Sequence, residues 1–240
     1  MNIPVSVVVP CYNEANRLAP DKFIEFMTFR KGVRYVFVDD GSKDNTLEIL
    51  DQIRSKAPDR VEVLRMEQNL GKAEAVRTGM IHSFENHSTD YIAFIDADLA
   101  IPIDQIDALV TDLRIKKKSI ALSSRRLKPV PGDYGLRSVF SAWLSKLIKA
   151  QFFPRERISD TQCGCKAFSR EIVPGLFGEP FISKWLFDVE VIIRAKDLGE
   201  LWKMVVEVPL PRLNDNSGSK VAPLYAIWLL GDMIKIERKY

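Results

Sequence analysis

Apolar residues in the first half of the chain form short continuous runs separated by longer periodic stretches. The runs are rich in β-branched and aromatic residues and are too short for helices, so each predicts a buried strand. Continuous apolar strands are typical of a sheet that is covered on both faces. The predicted strands span residues 5–9, 35–38, 61–64, 91–95 and 119–122.

Apolar residues between these strands recur every three or four positions, which indicates amphipathic helices. Strands that alternate with helices predict an α/β fold with a parallel, doubly wound sheet. Ligands of such sheets collect at the carboxyl ends of the strands. The three apolar stripes are Leu47, Leu50 and Ile53; Ala73, Val76, Met80 and Phe84; and Ile103, Ile106, Leu109, Val110 and Leu113.

The second half of the chain is less regular. Residues 125–135 predict a loop because they are rich in Arg, Lys, Pro and Gly. Apolar spacing predicts helices over 136–153, 187–198 and 223–239, and a strand over 205–208.

Composition narrows the class of protein. With 240 residues, 46% of them hydrophobic, the chain can bury a full core as a single domain. The net charge of +3 gives no case for a nucleic-acid partner. Three cysteines are too few for a disulfide framework, which favours a reducing compartment. The sequence predicts neither a secretory signal nor a membrane-spanning helix, so any work at a membrane is expected at its surface.

Two carboxylates follow the fourth predicted strand, in the segment Asp96-Ala97-Asp98. Side chains two residues apart on a strand point to the same face, so both carboxylates can approach one cation. Oxygen ligands of this kind suit Mg²⁺ or Mn²⁺. The alternative is a solvated turn that happens to contain two acids.

Asp39 and Asp40 follow the second strand and would share the sheet edge with the first pair. They suit hydrogen bonds to a nucleotide base or ribose, or else a turn with a helix cap. Lys72 opens a predicted helix after Asn69-Leu70-Gly71, where it would face a phosphate or simply the solvent. The phosphate-binding patterns of P-loop proteins and dinucleotide dehydrogenases are absent.

A basic cluster surrounds the predicted loop at 125–135 and consists of Arg125, Arg126, Lys128 and Arg137. Its arginines could bind a phosphate through paired hydrogen bonds, or could form a solvated basic surface. We interpret Cys163 and Cys165 as structural, because no further cysteine or histidine lies near them to complete a zinc site. His82 and His87 show no obvious partner in the sequence.

Taken together, the ordered motifs resemble family 2 glycosyltransferases over roughly the first 125 residues. Four of them lie in this half: VVVPCYNE at 7–14, VDDGSKDNT at 38–46, NLGK at 69–72 and DADL at 96–99. Three later segments resemble the polyprenyl-phosphate branch, which includes the dolichyl-phosphate mannose and glucose synthases, with the glucose-transferring members the more similar. They are SRR at 124–126, DTQCGCK at 160–166 and WLFDVE at 185–190.

The resemblance implies a GT-A-type single domain over 1–240, with a Rossmann-like, mostly parallel sheet flanked by helices. Residues 1–125 would bind the nucleotide sugar, and residues 126–240 would bind the acceptor and face the membrane. It implies that Asp96 and Asp98 are catalytic and hold the metal with the donor diphosphate. Ala100 stands where some mannose synthases have a metal-assisting Gln. The remaining implied contacts are Pro10, Tyr12, Glu14, Asp39 or Asp40, and Lys72 to the nucleotide, and Arg125 and Arg137 to the acceptor phosphate.

The nature of the acceptor decides whether a base is needed. A hydroxyl must lose a proton to a positioned base, for which Asp188 and Glu190 are candidates, whereas a lipid monophosphate is largely dianionic at neutral pH. We expect an inverting enzyme that moves glucose from a nucleotide sugar, UDP-glucose rather than GDP-mannose, to a polyprenyl phosphate. The alternatives are a transferase that uses a glycan hydroxyl, a non-catalytic nucleotide-sugar-binding module, and a nucleotidyltransferase.

The resemblance also leads us to expect a cytoplasmic protein that is peripheral on the inner face of a membrane. Two predicted helices combine an apolar stripe with basic flanks, which suits an anionic membrane surface. Ordinary core packing explains such stripes equally well. The stripes are Trp143, Leu144, Leu147 and Ile148 in one helix, and Trp228, Leu229, Ile234 and Ile236 in the other.

Overall fold

The computed structural model describes residues 3–130, 136–214 and 225–240, except for the side chains of residues 136–141 and 225–228. Strands and helices alternate through the first half, as the apolar pattern predicts. The elements in order are β1 (Val5–Cys11), α1 (Pro20–Phe29), β2 (Val33–Asp39), α2 (Thr46–Lys56), β3 (Val61–Arg65), α3 (Lys72–Asn86), β4 (Tyr91–Ile95), α4 (Gln105–Lys116) and β5 (Ile120–Ser124).

The second half adds two strands and several helices. The predicted helix at 136–153 and the predicted strand at 205–208 are confirmed within one residue at each end, and the helix at 187–198 matches fully. The helix at 223–239 is confirmed from Tyr225 onward, and its first two predicted positions lie outside the described residues. These elements are α5 (Leu136–Phe152), β6 (Cys165–Ser169), a short 3₁₀ turn at Arg170–Ile172, α6 (Val173–Phe177), α7 (Phe187–Leu198), α8 (Leu201–Met204), β7 (Val205–Pro209) and α9 (Tyr225–Lys239).

The seven strands form one sheet in the order β3-β2-β1-β4-β6-β5-β7. β1 pairs in parallel with β2 and β4, and β5 pairs in parallel with β7. Among the strands that the structure describes, β6 alone runs antiparallel to its neighbours, β4 and β5. The prediction of a mostly parallel sheet is therefore confirmed. The reversal from β2-β3 to β4 beside β1 creates the crevice in which ligands of such sheets bind.

Helices cover both faces of the sheet, which is why the strands are apolar without alternation. One face packs against α1, α2 and α4, and its core includes Phe23, Tyr35 and Phe37. The other face packs against α3, α5, α6, α7 and α9, and its core includes Phe94 and Phe168. None of the helices that the structure describes is long and apolar enough to cross a membrane.

The two predicted membrane stripes divide between core and surface. In α5, Leu144 and Ile148 are buried in the core, while Trp143 is exposed. In α9, Leu229 and Ile236 are buried and Ile234 is exposed. For these four buried residues the structure favours the alternative of core packing, because they belong to the buried core on that side of the sheet. The side chain of Trp228 lies outside the described residues.

Candidate functional site

The carboxyl ends of β2, β1 and β4 lie side by side and bring the first-half motifs together. Asp39 ends β2, Cys11 ends β1, and Asp96 directly follows β4. The loop after β1 is fastened to the loop after β2, because the Asn13 N–H donates to Ser42 Oγ at 3.0 Å and the Glu14 N–H donates to Thr46 Oγ1 at 2.8 Å. The sheet order thus places the predicted nucleotide residues Pro10, Tyr12 and Glu14 beside the predicted base-binding residues Asp39 and Asp40.

Asp40 holds the loop that leads into α3. Its two carboxylate oxygens accept the N–H groups of Leu70 and Gly71 at 2.8 and 2.9 Å. Burial raises the pKa of Asp40, and these two hydrogen bonds oppose that rise. Gly71 has a φ of +98°, a conformation that favours glycine. Asp40 therefore fixes the point at which α3 begins and Lys72 leaves the backbone.

Asp96 and Asp98 each face a cationic side chain. Asp96 Oδ1 lies 2.5 Å from Lys72 Nζ, and Asp98 Oδ2 accepts a short hydrogen bond from the Arg17 guanidinium. Burial lowers the pKa of Lys72, but the carboxylates around it, Asp96 first, outweigh burial and raise it. The turn is tight: Leu99 has a φ of +49°, and Asp98 Oδ1 accepts the Ala100 N–H at 3.0 Å.

The two carboxylates fit a divalent cation. Their side chains are 37% and 17% exposed, so the pair can be reached from the crevice. Each is neutralised by a long, flexible side chain, Lys72 or Arg17, that a cation or a diphosphate could displace. An all-oxygen donor set suits Mg²⁺ or Mn²⁺.

Sequence reasoning missed the contribution of β6 to this site. The Asp96 N–H donates to the Gly164 carbonyl at 3.1 Å, so the start of β6 lies against the acidic turn. A Cβ on Gly164 would lie 2.1 Å from Asp96 Oδ2, so only glycine leaves the carboxylate where it is. The signal in the sequence was a glycine between two cysteines, Cys163 and Cys165. The structure shows both cysteines buried and free.

A buried ion pair lies behind the acidic turn. Lys166 of β6 donates to Asp188 Oδ1 of α7 at 2.5 Å and to the Cys163 carbonyl at 2.7 Å, and Lys166 is fully buried. Burial raises the pKa of Asp188, while the charges of Lys166 and Lys72 oppose the rise. Lys72 is thus near both Asp96 and Asp188, whose negative charges raise its pKa.

Glu190 is the second acid of the WLFDVE segment at 185–190, and it holds the backbone of the loop that precedes α7. Its two oxygens accept the N–H groups of Ile182 and Ser183 at 3.0 and 2.8 Å, and its side chain is buried. Burial raises the pKa of Glu190, and these hydrogen bonds oppose the rise. Glu190 therefore stabilises the loop before α7 through these two hydrogen bonds.

Arg125 follows β5 and is held by Asp160. Arg125 Nε and Nη2 donate to the two oxygens of Asp160 at 2.8 and 3.0 Å, and the Arg125 backbone N–H donates to the same carboxylate at 3.1 Å. Burial would raise the pKa of Asp160, but the contacts with Arg125 outweigh it and lower the pKa. Arg137 lies in the first turn of α5, where the side chains are outside the described residues.

His82 and His87, to which the sequence assigned no partner, both contact Glu62. Their Nε2 atoms lie 2.6 and 2.7 Å from the two oxygens of that carboxylate. Glu62 belongs to β3, twenty residues before His82, so the contact follows from the packing of α3 on the sheet. The group lies at the amino-terminal ends of the strands, away from Asp96.

Asp39, Asp40, Asp96 and Asp98 lie at the carboxyl ends of β2 and β4, and we call this group the acidic edge of the sheet. Comparison with known sequences identifies the class of protein to which this fold and the acidic edge belong. The sequence model of glycosyl transferase family 2 matches residues 6–177. The chain therefore belongs to glycosyl transferase family 2, and the resemblance noted from its motifs is confirmed.

Curated relatives align over nearly the whole chain. A dolichyl-phosphate beta-glucosyltransferase of Dictyostelium discoideum is 30% identical over 100% of this chain and 75% of its own length. The human dolichyl-phosphate beta-glucosyltransferase is 29% identical over 98% of this chain and 75% of its own length. The similarity thus extends past the family match into α7, β7 and α9.

Solved structures with this fold include nucleotide-sugar enzymes. Glucosyl-3-phosphoglycerate synthase from Mycobacterium tuberculosis, crystallised with Mn²⁺, uridine diphosphate and glucosyl-3-phosphoglycerate, superimposes with a TM-score of 0.71. It is 20% identical, and the alignment covers 98% of this chain and 80% of that one. The prediction of a GT-A-type fold is confirmed.

Proposed function

We propose that this chain transfers glucose from a nucleoside diphosphate sugar, UDP-glucose, to a polyprenyl phosphate such as dolichyl phosphate. One observation supports the choice of a phosphate acceptor. A hydroxyl acceptor would need a protein base, and the two candidate bases, Asp188 and Glu190, are both already bound to other groups of the protein. Asp188 is closed in an ion pair with buried Lys166, and Glu190 accepts two backbone N–H groups. The names of relatives aligned over the whole chain support the same acceptor.

The proposed reaction is a single displacement at C1 of the sugar. A phosphate oxygen of the lipid forms the new bond to C1 while the bond from C1 to the diphosphate breaks on the opposite face, which inverts the configuration. The leaving nucleoside diphosphate carries the electron pair away. A second pKa of about 6 leaves the lipid phosphate largely dianionic at neutral pH, so no protein base is required.

The donor half of the site is assigned to residues 1–125. Asp96 and Asp98 would hold Mg²⁺ or Mn²⁺, and the bound cation would neutralise negative charge on the diphosphate. Lys72 lies beside Asp96 and is positioned to meet the same phosphates. Asp39 is the acid assigned to the base, because both oxygens of Asp40 accept N–H groups of the α3 loop, whereas the Ser42 N–H donates to Oδ1 of Asp39. Pro10, Tyr12 and Glu14 line the nucleotide pocket.

The acceptor half is assigned to residues 126–240 together with Arg125. Arg125 and Arg137 receive the lipid phosphate, since guanidinium groups bind phosphate through paired hydrogen bonds. Asp160 fixes the orientation of the Arg125 guanidinium before the acceptor arrives. In this arrangement the protein lies peripherally on the cytoplasmic face of a membrane and takes the lipid headgroup from it.

An acceptor panel tests the proposal. Purified protein is incubated with UDP-glucose or GDP-mannose, with Mg²⁺ or Mn²⁺, and with dolichyl phosphate, dolichol or 3-phosphoglyceric acid, and products are identified by mass. We expect UDP, not pyrophosphate, and a β-glucosyl lipid phosphate, with the reaction abolished by EDTA. Transfer to dolichol or phosphoglyceric acid alone would refute the acceptor assignment, and nucleotide binding without turnover would indicate a binding module.

A charge deletion on α5 tests the headgroup contact. Arg137→Ala removes a charge-assisted hydrogen bond worth roughly 1.5–3 kcal/mol, so acceptor use should fall about 10- to 100-fold with UDP binding unchanged. Both variants are measured with a short, water-soluble polyprenyl phosphate, so that membrane docking does not contribute. The matched control is Lys146→Ala, which deletes an exposed cation on the same helix and should leave this transfer nearly unchanged. Equal effects of the two variants would contradict the role of Arg137.

A further inference from the structure

A second group of side chains with metal-binding chemistry lies at the end of the sheet opposite to Asp96. Glu62 is the second residue of β3, His82 lies in the last turns of α3, and His87 follows α3. One ligand atom from each of the three lies within 4.8 Å of the other two. The family function proposed above does not use these residues.

The Glu62 carboxylate links both imidazoles. His82 Nε2 lies 2.6 Å from Glu62 Oε2, and His87 Nε2 lies 2.7 Å from Glu62 Oε1. On the far side of its ring, His87 Nδ1 lies 2.8 Å from Ser6 Oγ of β1, which lies 3.1 Å from Thr89 Oγ1. A hydrogen bond at Nδ1 fixes a histidine with Nε2 directed to a common centre, as in protein metal sites.

Two histidines and one carboxylate are a ligand set that binds Zn²⁺ with a fourth position open. Zinc bonds of about 2.0–2.2 Å at tetrahedral angles would place neighbouring ligand atoms roughly 3.3 Å apart. The present contacts of 2.6 and 2.7 Å must therefore open by roughly 0.6–0.7 Å. Glu62 and His82 have room for this, since their side chains are 35% and 25% exposed, while buried His87 anchors the group.

A cleft gives the group access to solvent. It has a volume of about 490 Å³ and is lined by Glu62 and His87, by Pro4 just before β1, and by Val33 and Arg34 at the start of β2. Arg34 lies at its rim, 3.6 Å from Glu62 Oε1, and is partly exposed. Arg34 is the cation that a metal ion would replace beside Glu62, and the cleft would supply the fourth ligand.

We propose that Glu62, His82 and His87 form a site for one Zn²⁺ ion that fastens β3 to the end of α3 and, through Ser6, to β1. Its nitrogen ligands distinguish it from Asp96 and Asp98, whose all-oxygen set suits Mg²⁺. The site therefore stabilises the sheet at the end remote from the acidic edge, independently of the transfer reaction.

Calorimetry with Zn²⁺ on chelator-stripped protein, in excess Mg²⁺ to fill oxygen-ligand sites, tests the proposal. We expect one Zn²⁺ per chain and a higher Tm with Zn²⁺ than without. His82→Asn changes a partly exposed residue and should weaken Zn²⁺ binding at least about tenfold. Glu85→Gln removes an exposed charge from the same helix and should bind Zn²⁺ like the wild type.

Substitution of Co²⁺ reports on the ligands directly, because tetrahedral Co²⁺ with nitrogen ligands absorbs strongly in the visible range. The absorption should appear in the wild type and in Asp98→Asn, and be lost in His82→Asn and in Glu62→Gln. Two results would overturn the proposal: no stoichiometric Zn²⁺ binding, or equal Zn²⁺ binding by the wild type and both cluster variants. Either would show a hydrogen-bonded cluster with an adventitious ion only.

Discussion

At the scale of single residues, the site depends on the absence of a side chain as much as on the acids themselves. Gly164 leaves the space that the Asp96 carboxylate occupies, and a Cβ there would lie 2.1 Å from Oδ2. The carboxylate is the movable end of a side chain, so it would turn away from Lys72 instead of disrupting the strand. The consequence should appear in ligand binding more than in folding.

Gly164→Ala should therefore weaken metal-dependent UDP binding at least about tenfold while changing the free energy of unfolding by less than ~1 kcal/mol. Calorimetry with Mn²⁺ and urea unfolding measure the two effects. Gly231→Ala on helix α9 is the matched control, because a Cβ at Gly231 would meet no atom within 4 Å outside its own helix backbone. The control should bind UDP normally and gain up to about 1 kcal/mol in stability. Normal UDP binding by Gly164→Ala would remove Asp96 from the donor site.

The Arg125–Asp160 pair predicts a dependence of stability on pH. The contacts with Arg125 lower the pKa of Asp160 below its usual value of 3.8. A lowered carboxyl pKa contributes stability above the usual value, and this stability is lost as the pH falls through the folded-state pKa. Asp160→Asn should thus be less stable than the wild type at pH 7, and the difference should narrow below about pH 3.8. Urea unfolding at pH 7, 5 and 3 measures it, and a constant difference would contradict the prediction.

At the scale of elements, a strand or helix could be predicted when its own residue pattern determines its structure. It could not be predicted when its structure depends on a partner far away in the sequence. The buried parallel strands were readable because covered strands are continuously apolar. Helix α1 was missed although Phe23, Phe26 and Met27 have helical spacing and Pro20 suits its first turn. β6 was missed because Lys166 interrupts its apolar pattern. Lys166 is tolerated in the core because its ammonium group is paired with Asp188, which lies 22 residues away, and donates to the Cys163 carbonyl.

The acidic edge could be predicted for the same reason: Asp39 and Asp96 follow recognisable strands, and sheet topology brings strand ends together. The contacts of Asp40, Arg17 and Lys72 depend on how loops pack against one another and could not be read from spacing.

Removal of Lys166 from the sheet should be among the most destabilising changes in this chain. Lys166→Met leaves the Asp188 carboxylate buried without its partner, which costs about 3–5 kcal/mol, whereas Lys166→Met with Asp188→Leu should recover most of that loss. Lys116→Met breaks the exposed pair with Asp112 on α4 and should change stability by less than about 1 kcal/mol. Urea unfolding of the four proteins, wild type included, measures these differences. A double variant as unstable as Lys166→Met would show that the loss comes from packing and not from the unpaired charge.

At the scale of the whole molecule, the proposed lipid acceptor requires a surface that meets the membrane. The apolar residues left exposed on α5 and α9 suit that role, since Trp143 is 49% and Ile234 is 52% exposed. Basic residues flank both: Lys146 and Lys149 on α5, and Lys235, Arg238 and Lys239 on α9. Apolar side chains beside basic ones bind anionic interfaces through burial and charge together.

The protein should therefore float with liposomes that contain anionic lipid, and high salt should weaken the binding. Trp143→Ser combined with Ile234→Ser should reduce the bound fraction several-fold, because each loses apolar area that the interface would bury. Trp202→Ser is the matched control, since Trp202 is 66% exposed but lies on α8 between Lys118 and Lys203. Because Trp202 also has basic neighbours, equal losses from both sets of changes would show that exposed tryptophan in a basic setting suffices and that α5 and α9 are not the membrane-facing surface. An unchanged rate of transfer to a short, water-soluble polyprenyl phosphate in the double variant would separate membrane docking from the chemistry at Asp96 and Asp98.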